Sequence, residues 1–136
     1  MKLSILTATY NRGNFLKRIY KSILDNLNCS LDIEWIIIDD GSIDNTKNII
    51  KQIKEENKLE IKYIWQENSG KMKSINKGVK NATGDLIVDC DSDDYFLKDS
   101  FKTILENLEY LFSKDDIYAI CFLKKDLNRE YKWKYI

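Results

Sequence analysis

Hydrophobic residues occur along the chain in two alternating patterns, and each pattern predicts one kind of element. Short runs rich in apolar residues occupy residues 3–8, 34–39 and 61–65, and a fourth run begins at Leu86. Runs of this length, rich in β-branched residues, are typical of strands in a sheet that is covered on both faces. We therefore predict four strands, and we expect the run 34–39 and the run at Leu86 to be buried.

Between these runs, apolar residues recur every three or four positions, which is the spacing of one helix face. Four helices are predicted in this way, and a run at residues 116–123 predicts another strand after the fourth helix. Ser42 or Asp44 is well placed to cap the second helix. The predicted faces are Phe15, Leu16, Ile19, Tyr20, Ile23, Leu24 and Leu27; Ile49, Ile50 and Ile53; Met72, Ile75 and Val79; and Phe101, Ile104, Leu105, Leu108, Leu111 and Phe112.

The alternation of strands and helices predicts the fold class. A β-α-β-α order implies a mostly parallel sheet with helices on both faces, which is a three-layer α/β/α, Rossmann-like arrangement. A chain of 136 residues is long enough for one such domain and short for two. Residues 1–136 are therefore expected to form a single domain.

Composition and charge limit the partners. Basic and acidic residues number 22 each, so the net charge of zero indicates no general attraction to nucleic acid or anionic lipid. No apolar run approaches the ~20 residues of a transmembrane segment, and the N-terminus resembles a first strand more than a signal peptide. We expect a cytoplasmic protein. Since the chain contains no histidine, Ser-His-Asp hydrolysis and His-ligated zinc are excluded, and any metal ion must be held by oxygen.

Polar residues follow three of the predicted strands at the point where each strand ends. These segments read "TATYNR", "DDGS" and "DCDSDD". Ligands of open parallel sheets bind outside the carboxyl ends of the strands. Any one segment alone would be explained as a loop with turn and capping residues, but three on one edge favour a site. A pair of carboxylates suits Mg²⁺ or Mn²⁺, and further acids that accept from ribose or base groups suggest a nucleoside diphosphate.

The segments "SILTATYNR", "IIIDDGSIDNT", "QENSGK", "SINKG" and "GDLIVDCDSDD" together resemble the nucleotide-binding half of family 2 glycosyltransferases, which have the GT-A fold. The resemblance covers about residues 2–94. It implies a nucleotide-sugar donor, a UDP-sugar in preference, held with Mn²⁺ or Mg²⁺ and a DxD motif. It also implies an inverting transfer to a saccharide or lipid-linked acceptor, as in polysaccharide biosynthesis.

The resemblance assigns roles to matching positions. Asp39 would accept a hydrogen bond from the base and Asp40 would support its loop. Lys71 would lie near the nucleotide or its phosphates, although a solvated helix lysine is nearly as good an interpretation. Asp91 would hold the ribose or the metal. The remaining implied residues are Thr9, Tyr10, Asn11 and Arg12 around the nucleotide, with Tyr10 stacking on the base, and Asp93 as a metal ligand.

Two of the departures from the family pattern bear on the site and its chemistry. Asp89 replaces a residue that is usually apolar, so it is either an additional member of the site or a partly buried acid with a raised pKa. Family members are usually much longer, and their second half supplies the acceptor surface and the general base. The catalytic base is therefore unknown and expected to be absent from this chain, unless a homodimer or a partner chain supplies the missing half.

Two alternatives to a transferase stay open at this point. One is a non-catalytic or degenerate module that binds a nucleotide sugar. The other, more distant, is a phosphatase of the haloacid dehalogenase type, in which Asp89 would be the nucleophile and Asp91 the acid-base. The second alternative leaves the "DDGSIDNT" segment unexplained.

Overall fold

The computed structural model describes residues 1–27 and 30–113. Within them the chain divides into two compact units, Met1–Lys102 and the described part of Thr103–Ile136. The strands and helices alternate as predicted. They are β1 (Lys2–Thr9), α1 (Gly13–Leu24), β2 (Asp32–Asp39), α2 (Thr46–Glu55), β3 (Glu60–Trp65), α3 (Lys71–Asn81), β4 (Leu86–Asp89) and α4 (Ser100–Phe112).

The four strands form one sheet in the order β3-β2-β1-β4, and every neighbouring pair is parallel. The chain runs outward from β1 to β3 and then returns to place β4 on the free side of β1. The order therefore reverses between β1 and β4, which is where open parallel sheets bind ligands. The predicted parallel α/β sheet is confirmed, and all four carboxyl ends lie on one edge.

Alternation along the central strands sends successive side chains to opposite faces of the sheet. On one face, Trp35 of β2 stacks on Tyr20 of α1 with ring centroids 6.4 Å apart, and α1 packs against α2. On the other face, Leu6, Ile36 and Ile38 form a buried cluster with residues of α3. Helices therefore cover both faces, as predicted.

Helix α3 buries only part of the face that was predicted for it. Met72 is 68% exposed and Val79 is 45% exposed, whereas Ser74 and Gly78 are buried. A Cβ atom on Gly78 would lie only 2.0 Å from Leu6 Cδ1, so the helix approaches β1 through its smallest residue. Ile75 of the predicted face does pack against the core cluster, but the prediction was wrong for Met72 and Val79, because the close approach brings the small residues Ser74 and Gly78 against the sheet.

Some other expectations need correction. The strand β4 is not buried, since Ile87 is 43% exposed and the burial alternates along the strand. Phe15 is 42% exposed, and Leu27 lies beyond the end of α1. These residues satisfy the helical spacing but lie at the margin of the buried face. The strand predicted at residues 116–123, together with the side chains of residues 109–112, lies outside what the structure describes.

A buried carboxylate lies at the opposite end of the sheet from the predicted site. Glu34 of β2 is fully buried and pairs with Lys62 at 2.7 Å and Lys2 at 3.4 Å. Ser4 Oγ donates to it at 2.5 Å, and so does the Thr83 backbone N–H at 2.7 Å. Burial acts to raise the Glu34 pKa, but the hydrogen bonds from Lys62, Ser4 and Thr83 outweigh it and hold the pKa well below its usual range.

Among the residues that the structure describes, no helix is long and apolar enough to cross a membrane.

Candidate functional site

The loops that follow β1 and β2 are joined to each other by Asn11. Its backbone N–H donates to Ser42 Oγ at 2.9 Å, and its Oδ1 accepts from the Ile43 N–H at 2.9 Å. Asn11 has a φ of 52°, a left-handed conformation that asparagine tolerates better than most residues. The two predicted segments at the central strand ends therefore form one surface.

Helices α1 and α2 begin close together behind this surface. Asp44 accepts from the Thr46 N–H at 3.0 Å and from the Gly13 N–H at 3.4 Å, so one carboxylate satisfies donors at the start of both helices. A Cβ on Gly13 would meet Thr46 Cα at 2.7 Å, which explains the glycine. Of the two proposed caps, Asp44 makes the bond to the first turn of α2, whereas Ser42 bonds to Asn11.

Asp39, the last residue of β2, is 1% exposed and held from two sides. One carboxylate oxygen accepts from the Ser42 N–H at 2.8 Å and the other from the Tyr63 hydroxyl at 2.7 Å. Burial of the hydroxyl and its bond to Asp39 raise the pKa of Tyr63 far above its usual value. Tyr63 of β3 was missed by the sequence analysis, because the strand also carries Glu60 and Lys62 and a further polar group in it was no clear signal.

Asp40 fastens the segment that precedes α3. Its Oδ1 accepts from Gln66 Nε2 at 2.7 Å and from the Ser69 N–H at 2.9 Å, and its Oδ2 accepts from the Gly70 N–H at 2.8 Å. Burial acts to raise the Asp40 pKa, but these hydrogen bonds outweigh it and lower the pKa. Asp40 thereby positions Gly70 and Lys71, the first residue of α3.

Both carboxylates of the DxD pair form ion pairs with basic residues predicted for the same site. Arg12 donates through a guanidinium nitrogen to Asp93 Oδ2 at 2.8 Å. Lys71 Nζ forms a close ion pair with Asp91. These contacts bring the ends of β1 and β4 and the start of α3 to one place. All four side chains keep between 30% and 57% of their surface in solvent, so their charges remain accessible.

Thr9 and Tyr10 differ sharply in their environment. Thr9, in register with Asp39, is 3% exposed, and its Oγ1 has no hydrogen-bond partner in the described part of the chain. Buried hydroxyls nearly always have one. Tyr10 is 48% exposed, so its ring is available to a ligand. Asp89, the last residue of β4, is exposed, which disfavours the interpretation as a partly buried acid.

Arg18 was also missed by the sequence analysis. It donates a hydrogen bond to the backbone carbonyl of Asp93, and its guanidinium lies 4.8 Å from the ring centroid of Tyr95. The available signal was a row of polar residues spaced by four along α1 and the turn that follows it, consisting of Arg18, Ser22 and Asn26.

Several solved structures are similar in fold to this chain. The structure of residues 1–349 of TarS from S. aureus, in complex with UDP-GlcNAc, has a TM-score of 0.73 and 30% sequence identity, covering 82% of this chain and 32% of the solved TarS chain. The mannosyltransferase PcManGT from Pyrobaculum calidifontis, in complex with GDP-Man and Mn²⁺, has a TM-score of 0.70 at 20% identity, covering 76% of this chain and 31% of the other. The second likeness shows the fold alone.

Relatives by sequence are glycosyltransferases. The uncharacterized glycosyltransferase MG060 of Mycoplasma genitalium is 38% identical over 138 residues, covering 98% of this chain and 45% of the relative. The GalNAc(5)-diNAcBac-PP-undecaprenol beta-1,3-glucosyltransferase of Campylobacter jejuni is 28% identical over 137 residues, covering 98% of this chain and 43% of the relative. This chain therefore spans less than half the length of either protein. The model of "Glycosyl transferase family 2" matches residues 4–135, and the chain accordingly belongs to that family.

Proposed function

We propose that this chain is the donor-binding part of a glycosyltransferase and that it binds a UDP-sugar at the carboxyl ends of β1, β2 and β4. One observation carries the proposal. Arg12 pairs with Asp93 and Lys71 pairs with Asp91 on the same edge as the linked loops of β1 and β2. Two cations and two carboxylates beside a switch point suit a diphosphate and a divalent metal ion.

The ion pairs suggest how such a ligand would be accommodated. A diphosphate would attract Arg12 and Lys71 away from their carboxylate partners. A divalent cation could then bind the two carboxylates. Asp91 and Asp93 would hold the metal through oxygen, the ligand type that Mg²⁺ and Mn²⁺ prefer. No group of three or more Asp, Glu, Cys or His side chains arranged for a metal occurs in residues 1–27 and 30–113. Two carboxylates would leave the other coordination positions of the metal ion to water and phosphate. The bound ion would then neutralise negative charge on the departing diphosphate.

The base would lie over the ends of β1 and β2. Tyr10 offers an exposed ring for stacking, and Thr9 has a hydroxyl whose hydrogen bonding is incomplete within the described residues. Asp39 has a carboxylate fixed by Ser42 and Tyr63, so its orientation is set before a ligand arrives. UDP is preferred because TarS, at 30% identity, was solved with UDP-GlcNAc.

The reaction would be an inverting transfer of the sugar to the hydroxyl of a saccharide or lipid-linked acceptor, in the cytoplasm, as part of polysaccharide biosynthesis. Its general base is proposed to lie in a further segment or in a partner chain, which includes a second copy of this one. A binding module without catalysis is the second candidate, because the chain spans less than half of its relatives. Membership of the family decides against the phosphatase alternative.

A thermal-shift panel of UDP, GDP and ADP, with Mn²⁺ or with EDTA, tests donor binding. UDP with Mn²⁺ should stabilise the fold by about 2.7 kcal/mol at 100 times its dissociation constant. Asp93→Asn should remove most of the part that depends on Mn²⁺. Asp32→Asn is the matched control, since Asp32 is exposed at the other end of β2. Equal shifts in Mn²⁺ and EDTA would contradict a metal role for Asp93.

Product formation separates the enzyme from the binding module. The 136-residue chain is incubated with UDP-sugars, Mn²⁺ and a mixture of sugar acceptors, and products are identified by mass spectrometry. We expect slow hydrolysis of the donor at most, because general-base assistance alone contributes roughly 10² to 10⁴ in rate. Transfer at about 1 per second, within the usual enzyme range, would mean that the chain carries its own base.

A further inference from the structure

The loop that carries Asp91 and Asp93 is fastened along one side of α1. Arg18 donates to the carbonyl oxygen of Asp93, Ser22 Oγ accepts from the Phe96 N–H at 3.1 Å, and Asn26 Nδ2 donates to the Leu97 carbonyl at 3.1 Å. The three anchoring residues are four positions apart, so they lie in one row on the helix and its C-terminal extension. The loop runs beside this row.

Arg18 is the anchor nearest the DxD pair and the one that is exposed. Its two partners in the loop are the backbone of Asp93 and the ring of Tyr95, and Phe15 of its own helix lies on the guanidinium at 5.5 Å. Ser22 and Asn26 are 7% and 2% exposed and belong to the packed interior. A change at Arg18 therefore alters the loop without opening the core.

We infer that Arg18 is a positioning residue for the donor site: it fixes the backbone of Asp93 so that the adjacent carboxylate is presented to the metal and diphosphate. Arg12 pairs with that carboxylate directly, whereas Arg18 acts only through the main chain. Metal sites depend on such outer contacts because a ligand must keep its orientation to bind well. The inference rests on the proposed donor function and names a residue outside the predicted site.

The experiment measures the dissociation constant of UDP by calorimetry, in Mn²⁺ and in EDTA, and takes their ratio as the metal-dependent gain. Arg18→Met should reduce this gain by roughly three- to tenfold, as expected for a lost charged hydrogen bond at an exposed position. Its dissociation constant in EDTA should change less than about twofold, since base contacts remain. Arg18→Lys should recover part of the gain, because lysine keeps the charge and a donor without the planar group. Lys17→Met, on the adjacent exposed position of α1, is the matched control and should leave both constants unchanged.

A second variant guards against a folding defect in Arg18→Met. Tyr95→Leu removes the ring beside the guanidinium and should lower the gain in the same direction, whereas Tyr95→Phe should keep it. If the metal-dependent gain is unchanged in both Arg18→Met and Tyr95→Leu, the inference is overturned. It is also overturned if these variants lose UDP affinity equally in Mn²⁺ and in EDTA, because an equal loss indicates a general structural role. If wild type binds UDP without any gain from Mn²⁺, the inference falls while nucleotide binding stands. If wild type does not bind UDP at all, the proposed function itself fails.

Discussion

Asp40 holds the segment before α3 against the end of β2, so replacing it should affect both the stability of the fold and the binding of UDP. Asp40 is 5% exposed, and its two oxygens accept from Gln66, Ser69 and Gly70. In Asp40→Asn one oxygen becomes an amide group, which is itself a donor. The least disruptive orientation keeps the oxygen that faces Gln66 and Ser69 and leaves the Gly70 N–H opposite another N–H.

The magnitude follows from this arrangement. A hydrogen bond to a charged group contributes about 1.5–3 kcal/mol, and a buried donor without an acceptor costs about 1–3 kcal/mol. Because the remaining bonds lose their charge but persist, we expect Asp40→Asn to lower the free energy of unfolding by about 2–3 kcal/mol. For a chain of this size, that corresponds to a fall in Tm of roughly 10 °C. UDP affinity should fall as well, since Gly70 precedes Lys71 at the start of α3.

Urea denaturation followed by circular dichroism at pH 7 measures the effect, with Asp32→Asn as the control that makes the same chemical change at an exposed position. Exposed substitutions usually stay within about 0.5 kcal/mol. The folded-state pKa of Asp40 is lowered, so its stabilisation is complete above the ordinary carboxyl pKa near 4 and is lost as the pH falls below it. The difference between wild type and variant should therefore narrow toward pH 3. A loss no larger than that of Asp32→Asn would refute the bonding argument.

Three further predictions concern Gly78, Glu34 and Tyr10. Gly78→Ala should destabilise the fold by about 1 kcal/mol in urea denaturation. Overpacking against Leu6 costs about 1–3 kcal/mol, which exceeds the ~1 kcal/mol gained in helix propensity. A stabilised variant would show that α3 can move away from β1. Glu34→Gln should lower the free energy of unfolding at pH 7 and reduce the loss of stability between about pH 4 and pH 2. The pKa of Glu34 is lowered in the folded state, so the stabilisation it contributes is complete above the ordinary carboxyl pKa and is lost as the pH falls. If the variant loses stability as steeply as wild type in acid, other carboxylates cause that loss. Tyr10→Ala should weaken UDP binding about fivefold at unchanged Tm, since the ring is exposed and stacking contributes on the order of 1 kcal/mol; unchanged affinity in calorimetry would remove Tyr10 from the site.

The order of strands and helices and the edge on which the polar segments meet were determined by the sequence alone. The apolar period identifies each element, and a parallel sheet requires that segments after its strands share one edge. The DDGS loop and the DxD loop could be placed together for this reason, before any distance was known. The four oxygens of Asp39 and Asp40 could not be given partners in the same way, since neither the position of Tyr63 in β3 nor that of Gln66 just after β3 indicates a contact with the end of β2.

The contacts between residues far apart in the chain were decided only by the tertiary structure. Arg12 meets Asp93 across 81 positions of sequence, and Lys71 meets Asp91 across 20. The buried face of α3 was decided in the same manner, because Gly78 allows a close approach to Leu6 that hydrophobic spacing does not encode. A periodic sequence pattern shows which residues are hydrophobic. Ion pairing and close packing depend instead on the distance between side chains, and that distance is set only when the whole sheet and its helices have assembled.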